Sequence, residues 1–130
     1  MSLIAMYRLM IPLEDFMKTL REALERMGYR IDLYEPHKGR IIAIRGKRMV
    51  LGGVGLREFM LDFNGFEGDE CVHERKKLEK LLGEDKIDLV KVQMKTPARV
   101  ETWSVGDRVY VMGDIGLEVK GTKKTTSPCG

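Results

Sequence analysis

Hydrophobic and polar positions change period several times along this chain, and each change marks an element. Met6 to Ile11 is a short apolar run that reads as a strand, and Pro12 suits the first turn of a helix, where its missing N–H would lack an intrahelical partner anyway. Leu13, Phe16, Met17, Leu20, Leu24 and Met27 then recur at three- and four-residue steps, which makes one buried helix face, and Gly28 stops the helix. The opposite side pairs unlike charges four apart, Arg21 with Glu25 among them, and a solvated surface explains it. Tyr29, Ile31 and Leu33 alternate with Arg30 and Asp32, as in a strand with one wet face. Ile41 to Ile44 is apolar on both faces, Arg45, Gly46 and Lys47 make a hairpin tip, and Arg48 to Leu51 returns from it.

Gly52, Gly53 and Gly55 mark a bulge or bend, and Phe59, Leu61 and Phe63 alternate as a further strand. After a turn from Asn64 to Asp69, a helix carries Cys71, Leu78, Leu81 and Leu82 on one face and ends at Gly83. Ile87 to Met94 and Val100 to Trp103 read as strands. Val109 and Val111 pair with Ile115, Leu117 and Val119 in a hairpin across Gly113 and Asp114. Met1 to Leu3 receive no functional weight, since Met6 could equally serve as a start.

Strand, helix, several strands, helix, several strands is the order of an α+β protein: an antiparallel sheet with both helices packed on one face. A ferredoxin-like sandwich with additional strands is the expected architecture, and a helix-grip sheet wrapped around one helix is the alternative. Residues 1–121 form a single domain in this reading, and 122–130 a flexible C-terminal tail.

Composition narrows the class. With 130 residues, 43% hydrophobic and 33% charged, the chain can bury a core without staples, unlike a disordered chain, a collagen-like repeat or a disulfide-held mini-protein. The longest apolar run, Met49 to Leu56, is far short of the roughly 20 residues that cross a bilayer, so no membrane partner is expected. Cys71 in mid-chain and Cys129 next to the end make no disulfide framework, which favours a reducing, cytoplasmic setting. Asn64 is the only Asn and Gln93 the only Gln, while Lys, Arg and Glu are plentiful; a heat-adapted source is expected, with nine methionines weighing mildly against it.

The sharpest unevenness is in charge. Pro36 to Arg57 holds six Lys and Arg and no acid, whereas Glu58 to Asp88 holds ten acids against five cations. Arg40, Arg45, Lys47 and Arg48 are the candidate anion-binding residues, with Arg offering a bidentate fork and Lys a point charge. The simpler reading places the basic segment beside the acidic one in the fold, each neutralising the other.

Other groups carry less. Gly-Gly-Val-Gly-Leu-Arg from Gly52 lacks the third glycine of the dinucleotide fingerprint and the Gly-Lys-Ser/Thr ending of a P-loop. Asp62, Asn64, Glu67, Asp69 and Glu70 offer oxygen ligands, but Glu67 stands where an EF-hand needs Gly and His73 where it needs Glu; helix entry capped by Asp69 explains them better. Cys71 and His73 diverge by about 200° on a helix, so Cys71 reads as a buried small hydrophobe.

No catalytic residue, metal or cofactor follows from these patterns. The leading expectation is a non-enzymatic cytoplasmic binding or assembly module, a homodimer because small sheets cover open edges by self-association, whose basic hairpin contacts an anionic partner such as nucleic acid. The alternative is an enzyme on a small anionic or phosphorylated substrate, held by Arg40, Arg45, Lys47 or Arg48, with Glu58 or Asp62 transferring protons.

Overall fold

In the structure, a computed structural model that describes residues 2–95 and the backbone of segments 101–105, 108–113 and 116–121, the chain runs β1 (Ser2–Leu9), α1 (Leu13–Arg26), β2 (Arg30–Glu35), β3 (Arg40–Arg45), β4 (Arg48–Val54), β5 (Phe59–Asn64), α2 (Glu70–Leu82), β6 (Ile87–Lys95), β7 (Glu101–Val105), β8 (Arg108–Gly113) and β9 (Gly116–Gly121). The first six strands form one antiparallel sheet in the order β2-β3-β4-β5-β1-β6, and β7-β8-β9 form a separate three-stranded sheet. This is an α+β fold, consistent with a ferredoxin-like sandwich carrying extra strands.

Alternation decides which face of the large sheet is dry. Tyr7 lies opposite Phe59 in register, and both are buried. The Tyr7 hydroxyl reaches Glu79 on α2, while the Phe59 ring meets Phe16 of α1 edge-on at 4.9 Å between centroids. Both helices therefore cover the same face, and the helix-grip alternative, with its single gripped helix, does not describe the chain. Leu3, Ala5, Val50, Leu61 and Phe63 complete that side of the core against Met17, Leu20 and Leu24 of α1 and Cys71, Leu78 and Leu82 of α2.

Four local expectations are corrected. β1 starts at Ser2, with Leu3 paired to both Phe63 and Met94 and fully buried, because two neighbouring strands extend to meet it. Pro12 occupies the N-cap position, one residue before the first turn. The β2–β3 register slips between Ile31 and Leu33, so Leu33 leaves the inner face and is 36% exposed. Gly52 and Gly53 sit inside β4 with no register shift on either side; a Cβ at Gly52 would lie 2.6 Å from the Ile41 side chain, so close approach rather than a bulge demands glycine there.

β2 forms one edge of the sheet; its bulge and the charges of Arg30, Asp32 and Glu35 are devices that limit edge-to-edge pairing. The β8–β9 hairpin is present, with Gly113 paired to Gly116. The connecting 114–115 and the expected tail 122–130 lie outside the described residues.

Candidate functional site

The basic β3–β4 hairpin closes with Arg45 paired to Arg48, leaving Gly46 and Lys47 as a two-residue loop. Gly46 has φ 61°, and glycine at the first central position is the pattern of a type II′ turn, whose twist matches the strands it joins. The tip bends over α2. Arg45 Nη2 lies 2.7 Å from Glu74 Oε2, its Nη1 donates to the Met27 carbonyl at 2.9 Å, and its guanidinium stacks 4.5 Å from the centre of the Tyr29 ring. Arg48 forms a bidentate pair with Glu70, Nε to Oε1 at 2.9 Å and Nη2 to Oε2 at 2.6 Å. The basic and acidic segments thus face each other at these two positions.

Glu74 is 9% exposed and occupies the apolar stripe of α2 between Cys71 and Leu78. A carboxylate can sit there because it is doubly paired: the Tyr29 hydroxyl donates to the same oxygen at 2.6 Å. Burial, then the hydrogen bond to Glu74, pushes the Tyr29 phenol well above its ordinary pKa. A second set mirrors the first near the other end of α2: the buried Tyr7 hydroxyl donates to Glu79 Oε2 at 2.6 Å, and Arg75 Nη1 meets the same oxygen at 2.6 Å. Desolvation first, then Glu79, raises the Tyr7 pKa. Sequence reasoning passed over Glu74 and Glu79. A signal for Glu74 was present, since Cys71, Leu78 and Leu82 define a stripe whose missing step falls on a charge.

The Glu70 carboxylate is held below its ordinary pKa, chiefly by the Arg48 hydrogen bonds and then by the Glu67 backbone N–H. Folding lowers this pKa, so the pair's contribution is complete above the unfolded value of about 4.3 and disappears as pH falls through the lower folded value. In a carboxyl-detected NMR titration, Arg48→Ala should move the Glu70 midpoint upward and flatten the loss of stability in acid. An unchanged midpoint would show that the pair does not form in solution.

The four candidate cations do not form one cluster. Arg45, Lys47 and Arg48 share the tip, with Lys47 exposed and the two arginine side chains each 33% exposed. Arg40 begins β3 at the far end, roughly 17 Å away along the strand. Glu58, just before β5, also lies at that far end, and Asp62 is half-buried in mid-strand opposite Ile4 and Leu51. Glu58 is therefore separated from the tip cations, and of the four candidate cations only Arg40 shares its end of the sheet.

Asp69 stands at the α2 N-cap but makes no side-chain cap bond; its carboxylate faces His73 Nε2 at 3.3 Å. Among the described residues, no three His, Cys, Asp or Glu side chains gather as metal ligands. Cys71 is fully buried in the core with Leu78 and Leu82, as its place in the stripe implies, but it is disulfide-bonded rather than a free thiol. Cys129 lies outside the described residues. Among those residues, no helix is long and apolar enough to cross a membrane. The chain matches no protein-family model and no curated protein.

Proposed function

We propose that the protein is a non-enzymatic binding module in which the β3–β4 turn presents Lys47 to an anionic partner, with nucleic acid phosphate as the favoured chemistry. The observation that supports this is the anchoring of the turn. Arg45 is tied to Glu74 and the Met27 carbonyl, Arg48 is tied to Glu70, and a Cβ at Gly65 would overlap the Lys47 carbonyl oxygen, so the loop before α2 packs directly against the turn. The backbone that carries Lys47 is thereby fixed in place, so only the side chain has to be ordered when its ammonium meets a phosphate. Arg45 and Arg48 serve mainly as the frame, each keeping one third of its side chain open to a secondary contact.

Arg40 falls outside this site. A homodimer through the β2 edge receives no added support from an edge that carries a bulge and charges. A cytoplasmic setting stays within the proposal despite the disulfide at Cys71, since intracellular proteins of hyperthermophiles are a disulfide-rich exception and the amide-poor composition points to heat adaptation.

Fluorescence anisotropy with a labelled single- or double-stranded oligonucleotide tests the reading. Binding should weaken steeply as salt rises, and Lys47→Ala should lower affinity across sequences and reduce the salt slope by about one. Arg40→Ala should change neither. Absence of binding at low salt, or a slope that Lys47→Ala leaves untouched, would sink the proposal.

A further inference from the structure

At the opposite end of the sheet from Lys47, a concavity of about 260 Å³ opens between the end of β1, the first residue of α1 and the β4–β5 turn. Leu13, Val54, Leu56 and the buried Phe59 supply an apolar wall, while Arg8 and Arg57 stand on the rim with Glu58. Large hydrophobics are left in water here more than elsewhere among the described residues: Val54 is 53% exposed, Leu56 is fully exposed, and Met10, two residues beyond Arg8, is 59% exposed. The rim is built rather than loose. Gly55 N–H donates to the Glu58 carbonyl at 2.7 Å, closing a turn whose two central residues are Leu56 and Arg57.

Two guanidiniums line the concavity against the single carboxylate of Glu58, which leaves its rim with a net positive charge. Arg57 makes no ion pair among the described residues, and Arg8 reaches only Asp88 at 3.7 Å, with both side chains more than half exposed. Exposed pairs of that length contribute little and give way to a better anion. A carboxylate between two guanidiniums forms charge-assisted, fork-matched hydrogen bonds. A shallow, open concavity of this size suits a short chain lying along its apolar wall. A bare phosphate would leave the apolar wall wet.

We propose that this concavity binds a small amphipathic carboxylate, its aliphatic chain lying on Leu13, Val54, Leu56 and Phe59 and its head group taken by Arg57 and Arg8. The site is independent of the Lys47 turn.

The test is a ¹H–¹⁵N NMR titration of the full chain with octanoate, run beside acetate, which has the head alone, and 1-octanol, which has the tail alone. Octanoate should give saturable shifts confined to Leu9, Leu13 and residues 54–59, with a Kd on the order of 1 mM, the affinity expected for about ten heavy atoms. Acetate and octanol should each bind at least about tenfold more weakly, and Arg57→Ala should weaken octanoate about tenfold, the equivalent of one charge-assisted hydrogen bond. Leu56→Ser should act in the same direction. Both positions are exposed, and unchanged shifts elsewhere would show that the variants fold. Lys47→Ala should leave octanoate binding as it is, which separates this site from the proposed nucleic-acid contact. Absence of saturable shifts at this end, equal affinity for acetate or octanol, or an Arg57→Ala variant that binds normally would overturn the proposal.

Discussion

Gly65→Ala is expected to lower stability by about 4 kcal/mol, the largest single-residue effect in this protein outside its apolar core. Two costs combine. Gly65 has φ 80°, a left-handed conformation that disfavours any Cβ, and its Cβ would overlap the Lys47 carbonyl oxygen, with the carbonyl carbon 3.1 Å away. Backbone cannot rotate aside as a flexible side chain can, so either the hairpin tip or the loop before α2 must move, and both anchored pairs lie beyond that contact. Gly68 is the matched control: it has φ 59° and nothing within 4 Å of its would-be Cβ, so Gly68→Ala should cost about 1 kcal/mol. Chemical denaturation of both variants measures the difference. Equal, small losses would mean that the turn and the loop do not touch. If Gly65→Ala fails to accumulate folded protein while Gly68→Ala folds, the ranking still holds.

Glu74→Ala is expected to cost about 3 kcal/mol and to lower the melting temperature by on the order of 10 °C. Removing the carboxylate strands the Tyr29 hydroxyl and leaves the Arg45 guanidinium with only the Met27 carbonyl and the Tyr29 ring as partners. Loss of one member of a buried pair costs about 3–5 kcal/mol, and the one-third exposure of Arg45 places this case at the lower end. Glu74→Gln keeps a hydrogen-bond acceptor and should lose about half as much. A double-mutant cycle with Arg45→Ala should return at least about 1 kcal/mol of coupling, since the two side chains share a contact. A Glu74→Ala variant within 0.5 kcal/mol of the parent, the ordinary range for surface changes, would show that this network does not hold the hairpin to α2.

These two predictions concern features of unequal visibility in the sequence. The glycine at 65 is one of a pair in an acidic turn, and nothing in its neighbours distinguishes it from Gly68; only the approach of Lys47, far away along the chain, does so. Glu74 was closer to legible, because it interrupts a regular apolar stripe. What periodicity cannot supply is its partner, since Tyr29 lies 45 residues away and reaches it only after β2, β3 and α2 have assembled. The concavity at Arg57 is a further case: Arg8, Leu13 and Val54 have no sequence relation, and the topology of β1 beside β5 brings them together.

By itself the sequence determined the α+β class, both helices, most of the strands and the hairpin tip at Gly46, because each is a local property: side-chain period, helix stops and turn chemistry are written within a few residues. It also established that a basic block precedes an acidic one. Only the tertiary structure decided how those blocks meet, with Arg45 and Arg48 set against Glu74 and Glu70, Arg40 left at the other end of its strand, and Leu33 turned outward by a bulge. The physical reason is that burial of a face repeats along one element and leaves a period, whereas an ion pair or a shared cavity depends on the register between elements, which the pairing of whole strands sets.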